Sequence, residues 1–186
     1  MRYGSMAGSI GLGVLLGAAV LGATQGNIAP DAVTHATEGY HTYDGELAFL
    51  TDGFHPGNSD QAGVFAWPDR GNLVFQFAAL HPVSGMRLCV GRDAGAYVAV
   101  AYRGARFGTT GQTDGRNAQI VAEAQNSEFQ EDTWVTLPFP PGTQADYLEL
   151  STDEGAEFYE IEILSEVGES TPIRAESWGA VKELRP

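Results

Sequence analysis

Tyr159-Glu160-Ile161-Glu162-Ile163 alternates apolar and acidic residues without a break. Side chains two apart share one face of a strand, so the stretch sets Tyr159, Ile161 and Ile163 against a core and both glutamates towards water. Working outward, Leu73, Phe75 and Phe77 share a face with Gln76 opposite, and Leu148 and Leu150 flank Glu149. Period two with one polar face is the mark of antiparallel sheets wetted on one side. Further short apolar runs occur at Glu46–Leu50, Gly63–Trp67, Met86–Val90, Tyr97–Tyr102, Ala118–Ala122 and Thr133–Phe139. Turn signals such as Asp44-Gly45, Asp52-Gly53 and Pro140-Pro141-Gly142 separate them. The expected fold is mainly β, an antiparallel β-sandwich over residues 41–164. Tyr97–Tyr102 is apolar on both faces and is predicted to be a central, covered strand.

Composition narrows the function. The chain has 186 residues, with 24 acidic against 10 basic side chains and a formal net charge of -14. A surface so poor in Lys and Arg cannot displace counterions from phosphates, which excludes a nucleic-acid partner. It suits instead the long-range attraction of a basic soluble protein. Cys89 is the single cysteine; lying in an apolar run, it reads as a small buried hydrophobe and rules out an internal disulfide framework. His35, His41 and His55, with Asp44, lack metal-site spacing and read as solvated or hydrogen-bonded residues. The many carboxylates show no pair set to face each other across a cleft, as a glycosidase requires. The expectation is a non-catalytic protein.

Met6–Ala23 carries no charge. As a helix it spans roughly 27 Å, close to the thickness of a hydrocarbon core. Arg2 precedes it, which places the N-terminus in the cytoplasm and the main domain on the periplasmic or extracellular side of the inner or plasma membrane. Ser9, Gly13 and Gly17 recur every fourth residue, a small-residue stripe on which another helix can pack. The organisation read from these features is an anchor over residues 1–25, a linker over 26–40, the sandwich over 41–164 and a tail over 165–186, with a short helix within Ala175–Leu184. The leading functional expectation is a single-span accessory subunit of a membrane complex, respiratory or photosynthetic, held by other transmembrane subunits. The alternative is an exported, lectin-like carbohydrate-binding domain whose leader is cleaved; Trp67, Phe107 and Trp134 are its loop aromatics.

Arg103, Arg106, Phe107 and Arg116 gather scarce positive charge around one glycine-rich loop, the candidate contact surface for a partner protein or an acidic glycan. Leu50-Thr51-Asp52-Gly53, Tyr97-Val98-Ala99-Val100 and Asp146-Tyr147-Leu148-Glu149-Leu150, followed by the closing Tyr159–Ile163 stretch, resemble the galactose-binding-like jelly-roll superfamily, which includes discoidin and coagulation-factor C-type domains. The resemblance covers about Tyr40–Leu164. It implies binding of sugars, lipid headgroups or proteins through loops at one end of the sandwich. It also implies a structural calcium at the matching positions Asp52 and Glu160, and no other cofactor.

Overall fold

The computed structural model describes residues 25–37, 43–93, 95–108, 113–114 and 118–166. The stripe Ser9, Gly13 and Gly17, the rest of Met6–Ala23, His41, Arg116 and the segment Ala175–Leu184 lie outside the described residues. Among those described, no helix is long and apolar enough to cross a membrane.

The alternating stretches become strands, and period two decides which side chains enter the core. In chain order these are β1 (Gln25–Asn27), β2 (Val33–Thr37), β3 (Phe65–Trp67), β4 (Gly71–Pro82), β5 (Gly85–Val90), β6 (Tyr97–Arg103), β7 (Arg106–Phe107), β8 (Thr113–Asp114), β9 (Gln119–Asn126), β10 (Thr133–Pro138), β11 (Gln144–Thr152) and β12 (Ala156–Glu166). One main sheet runs β1-β12-β5-β10, with β3 also paired to β12; the other runs β2-β4-β11-β6-β9, and β7 and β8 form a separate two-stranded ribbon. Every pairing is antiparallel. Leu73, Phe75 and Phe77 of β4, Met86 and Leu88 of β5, and Ile161 and Ile163 of β12 meet between the sheets. At about 25 cal/mol per Å² of apolar surface removed from water, this shared core is the main force joining the layers.

Aromatic rings fill one end of that core. Phe65 meets Trp67 edge-on at 5.1 Å, Trp67 meets Phe158 at 5.9 Å, and Tyr97 lies 5.7 Å from Phe158. Edge-to-face contact suits the quadrupoles of the rings. Trp67 is fully buried, so it is a core residue and not the loop aromatic expected. Gly71 lies against its indole.

Three expectations need correction. Glu46–Leu50 is not a strand: Leu47–Thr51 forms a 3₁₀ turn. Leu47 and Leu50 are three apart, and in a 3₁₀ helix that spacing puts both on the core side. The stretch read as a linker supplies β1 and β2, each at a sheet edge. Asn27 secures this segment: its Oδ1 accepts hydrogen bonds from the N–H of Ala29 at 3.0 Å and of Ile163 at 3.1 Å. Lastly, β6 is not the central covered strand, since Val98 and Val100 stay half-exposed on its outer face. That place belongs to β11, between β4 and β6, whose Asp146 and Tyr147 are buried on the side away from the main core.

What covers β11 is the arginine-bearing loop. Ala105 joins Val74 and Tyr147 in a second small apolar cluster, with Tyr102 and Phe107 packed on it.

Candidate functional site

Register places a transverse row of side chains across the outer face of the first sheet. Glu160 of β12 pairs with Cys89 of β5, which pairs with Trp134 of β10. Two positions along β12, Glu162 pairs with Arg87. Arg87 Nη1 binds Glu162 Oε2 at 2.7 Å, and its guanidinium lies 4.4 Å from the centre of the Trp134 ring. Trp134 is therefore held by a cation that is itself held, which fixes the indole without burying it fully.

A loop from Asp52 to Asp60 folds over this face and is braced by its own polar groups. Asp52 Oδ1 accepts from Phe54 N–H at 2.8 Å, the turn that short carboxylates favour. Gly53 has φ +81, a conformation natural to glycine. Asn58 closes the loop, accepting from His55 N–H and donating Nδ2 to Gly53 O, each at 2.9 Å. His55 Nδ1 accepts from Gly57 N–H at 3.2 Å, which orients the ring. The imidazole meets Trp134 edge-on at 5.2 Å.

Between loop and sheet lies a cleft of about 200 Å³. Trp134 and the loop residues His55, Pro56 and Gly57 wall it, with Cys89, Asp132 and Tyr159 among its other lining residues. Tyr159 reaches it because β12 bulges between Phe158 and Glu160. Asp132 has φ +48, the one non-glycine residue with positive φ among those described. Burial and the nearby Glu160 push the Cys89 thiol up to about 11, so it stays a thiol and not a nucleophile.

Glu160 was expected to face water. Instead it is buried beneath the loop. Its Oε2 accepts from Gly53 N–H at 3.0 Å, while Oε1 has no hydrogen-bond partner among the described residues. Burial drives its pKa up from 4.5 to about 7; the Gly53 bond opposes the rise, and the charges of Asp52 and Glu162 add to it. A buried carboxylate oxygen without a donor calls for either a proton or a cation. Asp52 and Glu160 offer hard oxygen donors of the kind calcium takes, and the orphan Oε1 fits such an ion. Among the described residues no three His, Cys, Asp or Glu side chains converge as a metal cluster, so carbonyl oxygens of the loop would have to complete the shell.

The arginine-bearing loop belongs to the other sheet and is engaged in packing. Arg106 Nη1 binds Asp146 Oδ2 at 3.0 Å, and Asp146 Oδ1 accepts from Gly104 N–H at 2.8 Å. Phe107 stacks flat on His35 at 4.1 Å, and its N–H donates to Gln76 Oε1 at 2.9 Å. Arg103 is exposed. Of the predicted contact residues, Phe107 packs onto the second sheet, while Arg103 and Arg106 remain exposed beside it. Sequence reasoning named Trp134 but missed its companions His55, Asp132 and Tyr159. Their meeting depends on the register of β10 and β12 on β5 and on the path of the 52–60 loop, which local sequence does not signal.

No protein-family model matches the chain, and no curated protein matches it. Solved structures do. A serum fucolectin from the striped bass Morone saxatilis superposes with a TM-score of 0.54 at 15% identity, over 76% of this chain and 49% of that one. The Streptococcus pneumoniae β-galactosidase BgaA gives 0.51 at 13%, over 76% and 96%. A Clostridium perfringens carbohydrate-binding module, solved with GalNAc-β-1,3-galactose, gives 0.50 at 13%, over 73% and 96%. The chain has the galactose-binding-like β-sandwich fold.

Proposed function

We propose that this chain is a non-catalytic glycan-binding domain whose ligand occupies the Trp134 cleft. The observation that carries the reading is the pinned indole: Trp134 lines the cleft, while Arg87 stacks on its ring and His55 abuts it. A sugar ring offers an apolar face to such a platform, and preorganisation of the aromatic lowers the entropy lost on binding. Asp132, Tyr159 and His55 supply polar groups for hydroxyls around the ring. Structural neighbours that are carbohydrate-binding modules and lectins support this reading over the accessory-subunit one.

A non-catalytic role is supported by the carboxylates. Glycoside hydrolysis needs two of them. Glu162 is committed to Arg87 and Glu160 is sealed under the loop, leaving Asp132 as the one carboxylate lining the cleft among the described residues. Calcium, when bound by Asp52 and Glu160, supplies charge neutralisation beneath the loop. The apolar stretch Met6–Ala23 is the basis for placing the domain outside the cytoplasm, as leader or anchor.

Titration calorimetry of the full chain against a panel of mono- and disaccharides tests the proposal. Binding by a member of the panel, lost in Trp134→Ala with an unchanged melting temperature, is the expected result. A ligand bound equally well by Trp134→Ala places the site elsewhere.

A further inference from the structure

The cleft has a charge sign. Among the described residues its lining includes no Lys or Arg, and Asp132 is the sole carboxylate. Asp132 is exposed, and its carboxylate has no hydrogen-bond or ionic partner among the described residues. Its backbone is held where the side chain stands: the N–H donates to Gly91 O at 3.0 Å, and φ is +48. Non-glycine residues in this region are uncommon, and such a backbone outlier at a cleft wall is a reason to look for function. The arginine stacked on the indole, Arg87, is neutralised by Glu162 at 2.7 Å and does not line the cleft. Glu160 lies behind Cys89 in the same row.

Resting on the glycan-binding reading of this cleft, we infer that its preferred ligand is a sugar bearing a free amine, a hexosamine unit whose ammonium pairs with Asp132 while its ring lies against Trp134. A carboxylate beside an aromatic ring is the pair of groups that recognises an organic cation: the first by a charge-assisted hydrogen bond, the second through its quadrupole. The same arrangement rejects uronates and sialic acids, whose carboxylate would meet Asp132 within an already acidic domain.

The test compares methyl glycosides in the gluco and galacto series, each as the amino sugar, the neutral hexose and the uronate, titrated into the full chain. The expected result is an amino sugar bound on the order of threefold to tenfold more tightly than its neutral counterpart, with the uronate weakest. Added salt should narrow that gap. Asp132→Asn retains a residue tolerant of positive φ, and a melting curve like that of the parent verifies its fold; its affinities for amino and neutral sugars should become equal. Equal affinities in the parent protein, or a preference for the uronate, overturn the inference and leave the glycan reading standing. No binding by any member of either series removes both.

Discussion

Gly53 and Glu160 stand 107 positions apart and share one hydrogen bond, Gly53 N–H to Glu160 Oε2 at 3.0 Å. That bond docks the loop onto the sheet. It also leaves the second carboxylate oxygen buried with nothing to accept from, and two consequences are measurable.

In cation-free protein, stability should depend on pH through Glu160. Its folded pKa, about 7, lies above the ordinary value of 4.5. Folding therefore favours the protonated acid. The contribution is fully present below pH 4.5 and is lost as pH rises through about 7, by roughly 3 kcal/mol at most. Glu160→Gln keeps an acceptor for Gly53 and carries no charge, so its denaturation midpoint should not show this fall. Urea midpoints measured in chelator between about pH 4.5 and 8 decide the matter; parallel profiles for parent and variant would assign the dependence to other groups.

Calcium should act in the opposite sense. Above about pH 7 the carboxylate is ionised and ready for a cation, so added calcium raises the melting temperature by ligand linkage and chelator reverses the gain. Asp52→Ala and Glu160→Gln should both abolish the difference. A melting temperature indifferent to chelator under mildly alkaline conditions would leave Asp52 as a turn former alone.

Gly71 should not tolerate a methyl group. A Cβ there would stand 2.1 Å from Trp67 Cε2, and Trp67 is fully buried with no space to retreat. Gly71→Ala should destabilise the domain by about 1–3 kcal/mol through overpacking. Near-ultraviolet circular dichroism should show the disturbed indole, and an unaltered spectrum with unaltered stability would show that the ring can move.

The Arg106–Asp146 pair should respond asymmetrically. The Arg106 side chain is 51% exposed and that of Asp146 only 9%. Arg106→Ala removes a screened charge and should cost under about 1 kcal/mol. Asp146→Ala removes both charge-assisted hydrogen bonds, to Arg106 and to Gly104 N–H, and should cost about 1–3 kcal/mol. Equal losses in urea denaturation would contradict this division of labour.

The strands that alternate were legible because their two faces differ in solvent. Phe75–Phe77 of β4 and Tyr159–Ile163 of β12 show it in alternate letters, and the turns at Gly45, Gly53 and Gly142 each have positive φ. Where period two and burial part company, the letters misled. Glu160 sits at an outward position, yet a loop from more than a hundred residues earlier covers it. β1 and β2 are short, and their place at the sheet edges depends on partners far along the chain. Of the candidate site, Trp134 was visible as an aromatic, but its meeting with His55 and Asp132 is a product of register and loop path. Neither is encoded locally.

β1 pairs with β12 so that Gln25 lies opposite Glu166, while the cleft opens near Tyr159 and Val90. Along β12 the two places are separated by roughly 25 Å of extended chain. A pull applied at Gln25 against a ligand held in the cleft would run lengthwise down the strands. Their hydrogen bonds would be loaded together, in shear, and would not open one after another. Tension along that axis would thus be shared among the paired strands.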